Sequence, residues 1–387
     1  MIENQFRYSD RMIFFNLSMK NITFILLFFV SILSTAFAED RKTLSVGEKA
    51  PSFNLKGVDD KMYSLENFKE AKLLVILFTC NHCPTAQAYE DRAIAYAAKY
   101  KDKGVQLVAI SPNADNAVRF DELGYSDLGD SFEEMKIRSK DKGYNFPYLY
   151  DGATQEVANA YGPVATPHVF VFDQNRILQY VGRIDNDEHI GKATKHDLVA
   201  ATDALLAGKK LETPTTKTFG CSVKWAEKTE WKDQEVLSWA KEPVSVSVAN
   251  LDELKKVKAN KESGKYRLIN LWATWCGPCV AEFKSLVETE RMYRGRDFDF
   301  VTISMDAPEV EPKVLKFLTK KFASNKNYIF NGNKYDLIEV IDPEWQGALP
   351  YTVLISPEGE ILYKQMGMID ILELRKAIVE QIGRYYP

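Results

Sequence analysis

The stretch Leu268-Ile269-Asn270-Leu271-Trp272-Ala273-Thr274-Trp275-Cys276-Gly277-Pro278-Cys279-Val280-Ala281-Glu282-Phe283 decides how this chain folds. An apolar run of β character ends at two thiols, and a helix-forming stretch follows at once. The same plan occurs earlier in the chain. There Leu73-Leu74-Val75-Ile76-Leu77-Phe78 leads through Thr79 into Cys80-Asn81-His82-Cys83, and residues 84–103 continue as a helix on which Ala and Tyr recur. Two thiols separated by two residues at a helix start can form, open and exchange a disulfide. The helix N-terminus supplies partial positive charge and free N–H groups, which favour thiolate over thiol. The chain therefore carries a redox device twice.

Working outward, each device sits in an alternation of strands and helices. Around the first, residues 44–66 read as a hairpin, 105–111 (VQLVAIS) as a buried parallel strand, and 132–140 and 153–160 as helices. Ala165-Thr166-Pro167-His168 then opens a strand, RILQYVGRI is its hairpin partner, and 193–207 is an amphipathic closing helix. Around the second, NLDELKKVKANKE precedes the strand, a helix runs over about 278–292, and FDFVTISM is the next strand. Helix VLKFLTKKF follows, then Ala348-Leu349-Pro350 and a strand, a hairpin return at EILYKQMG, and a final helix at IDILELRKAIVEQI. Strands alternating with helices and ending in a hairpin predict an α/β protein whose two domains each have a mixed central sheet flanked by helices. The expected division is 1–38 signal peptide, 40–212 first domain, 213–243 connector and 244–387 second domain. The connector, with three Trp among frequent Pro, Thr and Lys, is expected to pack partly on the first domain.

Composition narrows the function. The chain has 387 residues, enough for two ordinary domains, and a net charge of −4 with acids and bases mixed. No basic block points to nucleic acid. Four scattered His argue against a His-rich metal centre, and no organic cofactor or metal is expected because the cysteines themselves carry the electrons. Zinc held by four Cys would need the two pairs to face each other, yet they belong to separate domains. Residues 22–38, ITFILLFFVSILSTAFA, follow Lys20 and end in Ala36-Phe37-Ala38, the pattern of a secretory signal cleaved after Ala38. Export would place the chain in the periplasm or outside the cell, where disulfides persist.

Trp275-Cys276-Gly277-Pro278-Cys279 with Pro350 downstream resembles the thioredoxin fold. More narrowly, residues 244–387 resemble the TlpA/ResA-like thiol-disulfide oxidoreductases. Residues 40–212, through FTCNHCP and ATPHVFVFD, resemble the redoxin group that includes the AhpC/TSA peroxiredoxins. The resemblance implies that Pro350 is cis beside the disulfide and that Glu282 tunes the pair and relays protons. Leu349 would offer its backbone to an extended substrate, with Trp275 as an apolar contact surface. Thr166-Pro167 matches Leu349-Pro350.

Cys276 is the expected attacking thiol of the second domain and Cys279 its resolver. In the first, Cys80 is expected to attack and Cys83 to resolve, with a cationic His82 stabilising the Cys80 thiolate. Aligning the two Cys-x-x-Cys pairs puts Leu74 where Asn270 stands and Ala86 where Glu282 stands, leaving the first domain without a helpful carboxylate. Its spacing also departs from peroxiredoxins, which have Thr where Cys80 stands relative to Cys83; Arg92 is the candidate supporting Arg. Cys221, in Phe219-Gly220-Cys221-Ser222, is expected to be buried and inert, the alternative being a disulfide with Cys80 or Cys83 or between chains. The leading expectation is an exported thiol-disulfide oxidoreductase acting on disulfide- or thiol-bearing envelope proteins, with electrons from a membrane thiol carrier or from the other domain. Two alternatives stay open: a thiol-dependent peroxidase regenerated by the second domain, and a metal-carrying module using Cys80, His82 and Cys83. Oligomeric state is not legible in the sequence.

Overall fold

The computed structural model describes residues 41–384; the expected signal peptide lies outside the described residues. Thirteen strands and ten α-helices among those residues build two sheets. The first sheet uses β1 (Asn54–Gly57), β2 (Met62–Ser64), β3 (Leu73–Phe78), β4 (Val105–Ser111), β5 (Tyr148–Tyr150), β6 (His168–Phe172) and β7 (Leu178–Gly182) in the order β2-β1-β5-β4-β3-β6-β7. The second uses β8 (Ser247–Ala249), β9 (Tyr266–Trp272), β10 (Phe298–Ser304), β11 (Lys326–Phe330), β12 (Tyr351–Ile355) and β13 (Ile361–Met366) in the order β13-β12-β9-β10-β11-β8. The two share one plan. A central strand, β3 or β9, is parallel to its successor and antiparallel to the strand that follows the Pro loop.

Alternation explains why β3 is apolar throughout. Leu74, Ile76 and Phe78 enter the core on one face with Val108, Phe170 and Phe172. Leu73, Val75 and Leu77 enter the core on the other with Val169, Val171 and Tyr180. A strand covered on both faces has no solvent side to carry polar residues.

In chain order the helices are α1 (Pro84–Tyr100), α2 (Phe132–Lys142), α3 (Glu156–Tyr161), α4 (Asp197–Leu206), α5 (Thr229–Trp239), α6 (Leu251–Ala259), α7 (Gly277–Tyr293), α8 (Glu311–Lys320), α9 (Lys334–Ile341) and α10 (Ile371–Ile382). α1 and α7 each begin with a cysteine as N-cap and carry Pro in the first turn, where a missing N–H costs nothing. The first turn of α2 is closed by a capping box between Ser131 and Glu134. Helix α5 and strand β8 fall where the sequence showed only a connector and a helix approach. Propensity alone does not mark them, because α5 has just one buried residue, Trp239.

Residues 213–225 do not form a free link. Val223 and Trp225 lie in the first lobe's core, and Thr215 bridges Val181 beside β7. The two lobes also pack directly. Val118 and Leu123 share a core with Leu286, Met292, Tyr293 and Ile378, the Tyr293 hydroxyl donates to the Ser126 carbonyl at 2.8 Å, and Arg384 pairs with Asp127 at 2.8 Å. No helix among the described residues is long and apolar enough to cross a membrane.

Candidate active sites

In the second lobe, β9 delivers the chain to Cys276, which caps α7 and is disulfide-bonded to Cys279. The Cys276 sulfur accepts the Cys279 N–H at 3.4 Å, so backbone donors of the first turn already point at it. Cys276 is 7% exposed and Cys279 1%, which leaves the first sulfur nearer to solvent. The Leu349–Pro350 peptide is cis and immediately precedes β12. Trp275, 64% exposed, stands beside the reactive cysteine, whereas Trp272 is fully buried against Phe283 and Phe317.

Glu282 lies one turn beyond Cys279 on α7 and is buried. Its carboxylate accepts the Ile369 N–H at 2.8 Å and the Asn270 side-chain amide at 3.3 Å. Burial outweighs those two donors and pushes the carboxyl up to about 7. A carboxyl poised near neutrality can take and return a proton at working pH. Asn270, through its hydrogen bond, helps hold the Glu282 carboxyl in place.

In the first lobe the site is shifted by three residues from the frame that the Cys-x-x-Cys alignment suggests. Phe78 pairs with His168, the residue after cis-Pro167, and Leu271 pairs with Tyr351, the residue after cis-Pro350. Phe78 and Leu271 are therefore equivalent. Counting five residues on from each reaches Cys83 and Cys276, the two helix N-caps. Cys80 then corresponds to Ala273, and Cys279 corresponds to Ala86. The expected equivalences of Leu74 with Asn270 and of Ala86 with Glu282 are corrected to Leu77 and Tyr89. The strand register and helix cap fix the frame, and cysteine spacing alone does not.

This frame puts Cys83, expected to resolve, at the helix cap that Cys276 holds in the second lobe. Cys80 and Cys83 are both buried and unbonded. Burial pushes the Cys80 thiol well up, and its hydrogen bond to Cys83 and the nearby Asp130 charge push the same way. Burial also acts upward on Cys83. There, donation from Cys221 and Cys80, the His82 charge and the Ala86 N–H together hold the thiol well below its ordinary range. Of the two, Cys83 is the thiol whose surroundings favour the charged form.

His82 is held by a carboxylate distant in the chain. Its Nδ1 lies 2.6 Å from Asp130 Oδ2, and both side chains are buried. Asp130 also accepts the Asn81 N–H at 2.8 Å, the His82 N–H at 3.1 Å and the Asn113 amide at 2.7 Å. Burial acts to lower the His82 pKa, but the Asp130 charge and hydrogen bond, with Cys83, raise it on balance. The first lobe therefore does have a helpful carboxylate. Asp130 is 48 residues from His82, on the loop before α2, and nothing local in the sequence marks it.

Thr166 lies between the thiols. Its Oγ1 is 3.2 Å from the Cys80 sulfur, and its carbonyl oxygen is 3.3 Å from the Cys83 sulfur. Cys221 is half-buried rather than buried as expected, and it packs on the Cys80–Cys83–Ala86 cluster. Arg92 is engaged elsewhere: it binds Asp185 at 2.8 Å and the carbonyls of Asp187 and Glu188 at 2.7 Å each. Cys80, His82 and Asp130 place donor atoms within 4.8 Å of one another. A cation there would have to displace the His82 and Asn113 bonds from Asp130.

The two sites stand apart in the assembled lobes. The first lobe is contacted from Leu286 to the end of α7 and beyond, where Tyr293 meets Ser126 and Arg296 meets the Gly124 carbonyl at 2.7 Å. Cys276 caps the opposite end, about 25 Å from Tyr293 at 1.5 Å rise per residue.

Each lobe is similar to known protein families. The AhpC/TSA family matches residues 46–181, and the Redoxin family matches residues 241–377. The thiol-disulfide oxidoreductase ResA of Bacillus cereus is 30% identical over 135 residues, covering 35% of this chain and 73% of that protein. The thiol:disulfide interchange protein CycY of Rhizobium leguminosarum is 28% identical over 123 residues, 30% of this chain and 58% of that one. Among solved structures, a hypothetical protein of Sinorhizobium meliloti is 34% identical, covering 48% of this chain and 97% of its own, with a TM-score of 0.43.

Proposed function

The chain belongs to the ResA family of thiol-disulfide oxidoreductases and is an oxidoreductase of tandem thioredoxin folds; from there we propose that it is exported and exchanges disulfides with envelope proteins through two separate thiol centres. The observation that carries this reading is the equivalence of Cys83 and Cys276. Each caps a helix beside a cis-Pro loop, and each has a second sulfur at hand.

In the second lobe the reduced Cys276 thiolate attacks a substrate disulfide and forms a mixed disulfide. Glu282 takes the proton from Cys279, and Cys279 then attacks Cys276 and releases the reduced substrate. Leu349 presents backbone groups to an extended substrate segment, with Trp275 as the apolar face it lies against. In the first lobe Cys83 attacks, and the His82–Asp130 pair keeps a positive charge beside the thiolate. Stabilising the reduced form makes a couple more oxidising, so the first centre is read as the stronger oxidant.

Because Cys276 lies at the far end of α7 from the interface, the lobes serve separate partners rather than passing electrons directly. The peroxidase reading, with the second lobe as reductant, draws no support from this arrangement or from the engaged Arg92. Thr166-Pro167 is the first lobe's substrate-contacting loop. The export reading rests on residues 22–38 and is tested by N-terminal sequencing of the protein from an envelope fraction.

The experiment is reduction of insulin disulfides by the mature chain with dithiothreitol, comparing Cys83→Ser and Cys276→Ser. Each substitution is expected to remove one lobe's share of turnover. An inactive wild-type chain overturns the proposal.

A further inference from the structure

The position equivalent to the second lobe's resolving cysteine is Ala86 in the first lobe, so its resolving sulfur must come from elsewhere. Two sulfurs adjoin Cys83: Cys80, three residues earlier on the same loop, and Cys221, 138 residues later on the strap formed by residues 213–225. The strap is built to hold Cys221 there. The Thr166 N–H donates to the Cys221 carbonyl at 2.9 Å, so the strap pairs with the residue that touches both other thiols. Gly220 allows this approach. A Cβ at position 220 would lie 2.1 Å from the Thr166 carbonyl oxygen, and the backbone there has φ +140°. On one side Thr218 donates to the Pro167 carbonyl at 2.9 Å. On the other, the Lys224 N–H donates to Asn113 Oδ1 at 2.9 Å, and Val223 and Trp225 are buried in the core. Asn113 in turn binds Asp130, so the strap and the His82 pair share one scaffold.

We propose that Cys221 is the third redox thiol of the first lobe and resolves mixed disulfides formed on Cys83, giving a Cys83–Cys221 disulfide. This rests on the reading of Cys83 as the attacking thiol. The Cys83 thiolate attacks a substrate disulfide RSSR, forming Cys83–S–S–R and releasing RS⁻. The Cys221 sulfur loses its proton and attacks the Cys83 sulfur, breaking the Cys83–SR bond and releasing a second RS⁻. Two protons, one of them from Cys221, convert both leaving thiolates to RSH. The substrate gains two electrons, and Cys83 and Cys221 become the disulfide. Cys221 is the least buried of the three sulfurs, so its proton has the shortest route to solvent. Its hydrogen bond to Cys83, and then its burial, raise its pKa, which keeps it a thiol donor until Cys83 has reacted.

The test uses the full-length mature chain treated with oxidised glutathione, quenched with acid and iodoacetamide, and digested with trypsin without reduction. Cys80 and Cys83 share one tryptic peptide, and Cys221 lies in residues 218–224. A Cys83–Cys221 bond therefore joins two peptides, whereas a Cys80–Cys83 bond does not. The joined pair is expected in wild type and as the main product in Cys80→Ser. In Cys80→Ser/Cys221→Ser the glutathione adduct on Cys83 should be at least about tenfold more abundant. Wild type showing only the intra-peptide bond, with Cys80→Ser keeping its adduct and an alkylated Cys221, overturns the inference. A Cys83 that never acquires glutathione, while Cys276 does, instead overturns the reading of the first lobe as a thiol-exchange centre.

Discussion

Replacing Asp130 by Asn tests the electrostatic account of the first centre most directly. Asp130 Oδ1 accepts two backbone N–H groups, and Oδ2 accepts His82 Nδ1 and the Asn113 amide. An Asn with its oxygen toward the backbone donors turns an NH₂ toward Nδ1 and toward the Asn113 amide, which is itself a donor. His82 must then be neutral with Nδ1 as acceptor, and Asn113 loses its partner. Hydrogen bonds to a charged acceptor contribute about 1.5–3 kcal/mol each, and breaking a buried ion pair costs about 3–5 kcal/mol. Two of four bonds change, so about 3–5 kcal/mol of the first lobe's stability should be lost. With an m-value near 2 kcal/mol per molar, the urea midpoint of its transition falls by roughly 2 M.

The pH dependence of that loss has a definite sign. In the wild type burial opposes ionisation of both partners, but the pair's mutual charge and hydrogen bond win, lowering Asp130 and raising His82. The Asp130 contribution is therefore present above the unfolded carboxyl pKa and lost as pH falls through the folded value. The His82 contribution is full below the unfolded imidazole pKa and lost as pH rises through the folded one. Wild type should be most stabilised between these limits, and Asp130→Asn should flatten the profile. With the His82 charge gone, Cys83 alkylation by iodoacetamide at neutral pH should slow. An unchanged Cys83 alkylation profile, or a midpoint shift below about 0.5 M, would refute the reasoning.

Glu282→Gln should slow closure of the Cys276–Cys279 disulfide and abolish the inflection near pH 7 in its rate, followed by quenched-flow alkylation. Folding raises the Glu282 pKa from 4.5 to about 7, so wild-type stability falls as pH rises across that window and the Gln variant should not follow it. Gly220→Ala should cost about 1–3 kcal/mol in thermal or urea unfolding, because the new Cβ meets the Thr166 carbonyl, and should deplete the cross-linked Cys83–Cys221 peptide. Trp275→Ala should leave stability within about 0.5 kcal/mol, since the ring is exposed. It should also raise KM for a protein disulfide more than for oxidised glutathione. Equal effects on the two substrates would remove the contact-surface role.

The duplication itself was legible in the amino-acid order. An apolar strand running into paired cysteines and a helix, twice, specified two α/β lobes. These features are local, set by periodicity, by turn residues and by short spacings along one strand and one helix. The place of Pro350, its match at Pro167 and the role of Glu282 came instead from the resemblance to the thioredoxin fold. What failed was the assumption that equal cysteine spacing means equal position. The frame is set by pairing of β3 with β6 and of β9 with β12, contacts 80 to 98 residues apart in sequence, and that pairing makes Cys83 rather than Cys80 the counterpart of Cys276 at the helix cap.

Asp130 lies 48 residues from His82 and Cys221 lies 138 residues from Cys83, and no pattern in either loop marks the approach. The sequence by itself determined that paired thiols stand at a helix start in both lobes, because strand, cap and thiol are neighbours along the chain. Only the tertiary structure decided which sulfur's surroundings favour the charged form, since a thiol's acidity depends on the charges and donors that folding carries to it through space.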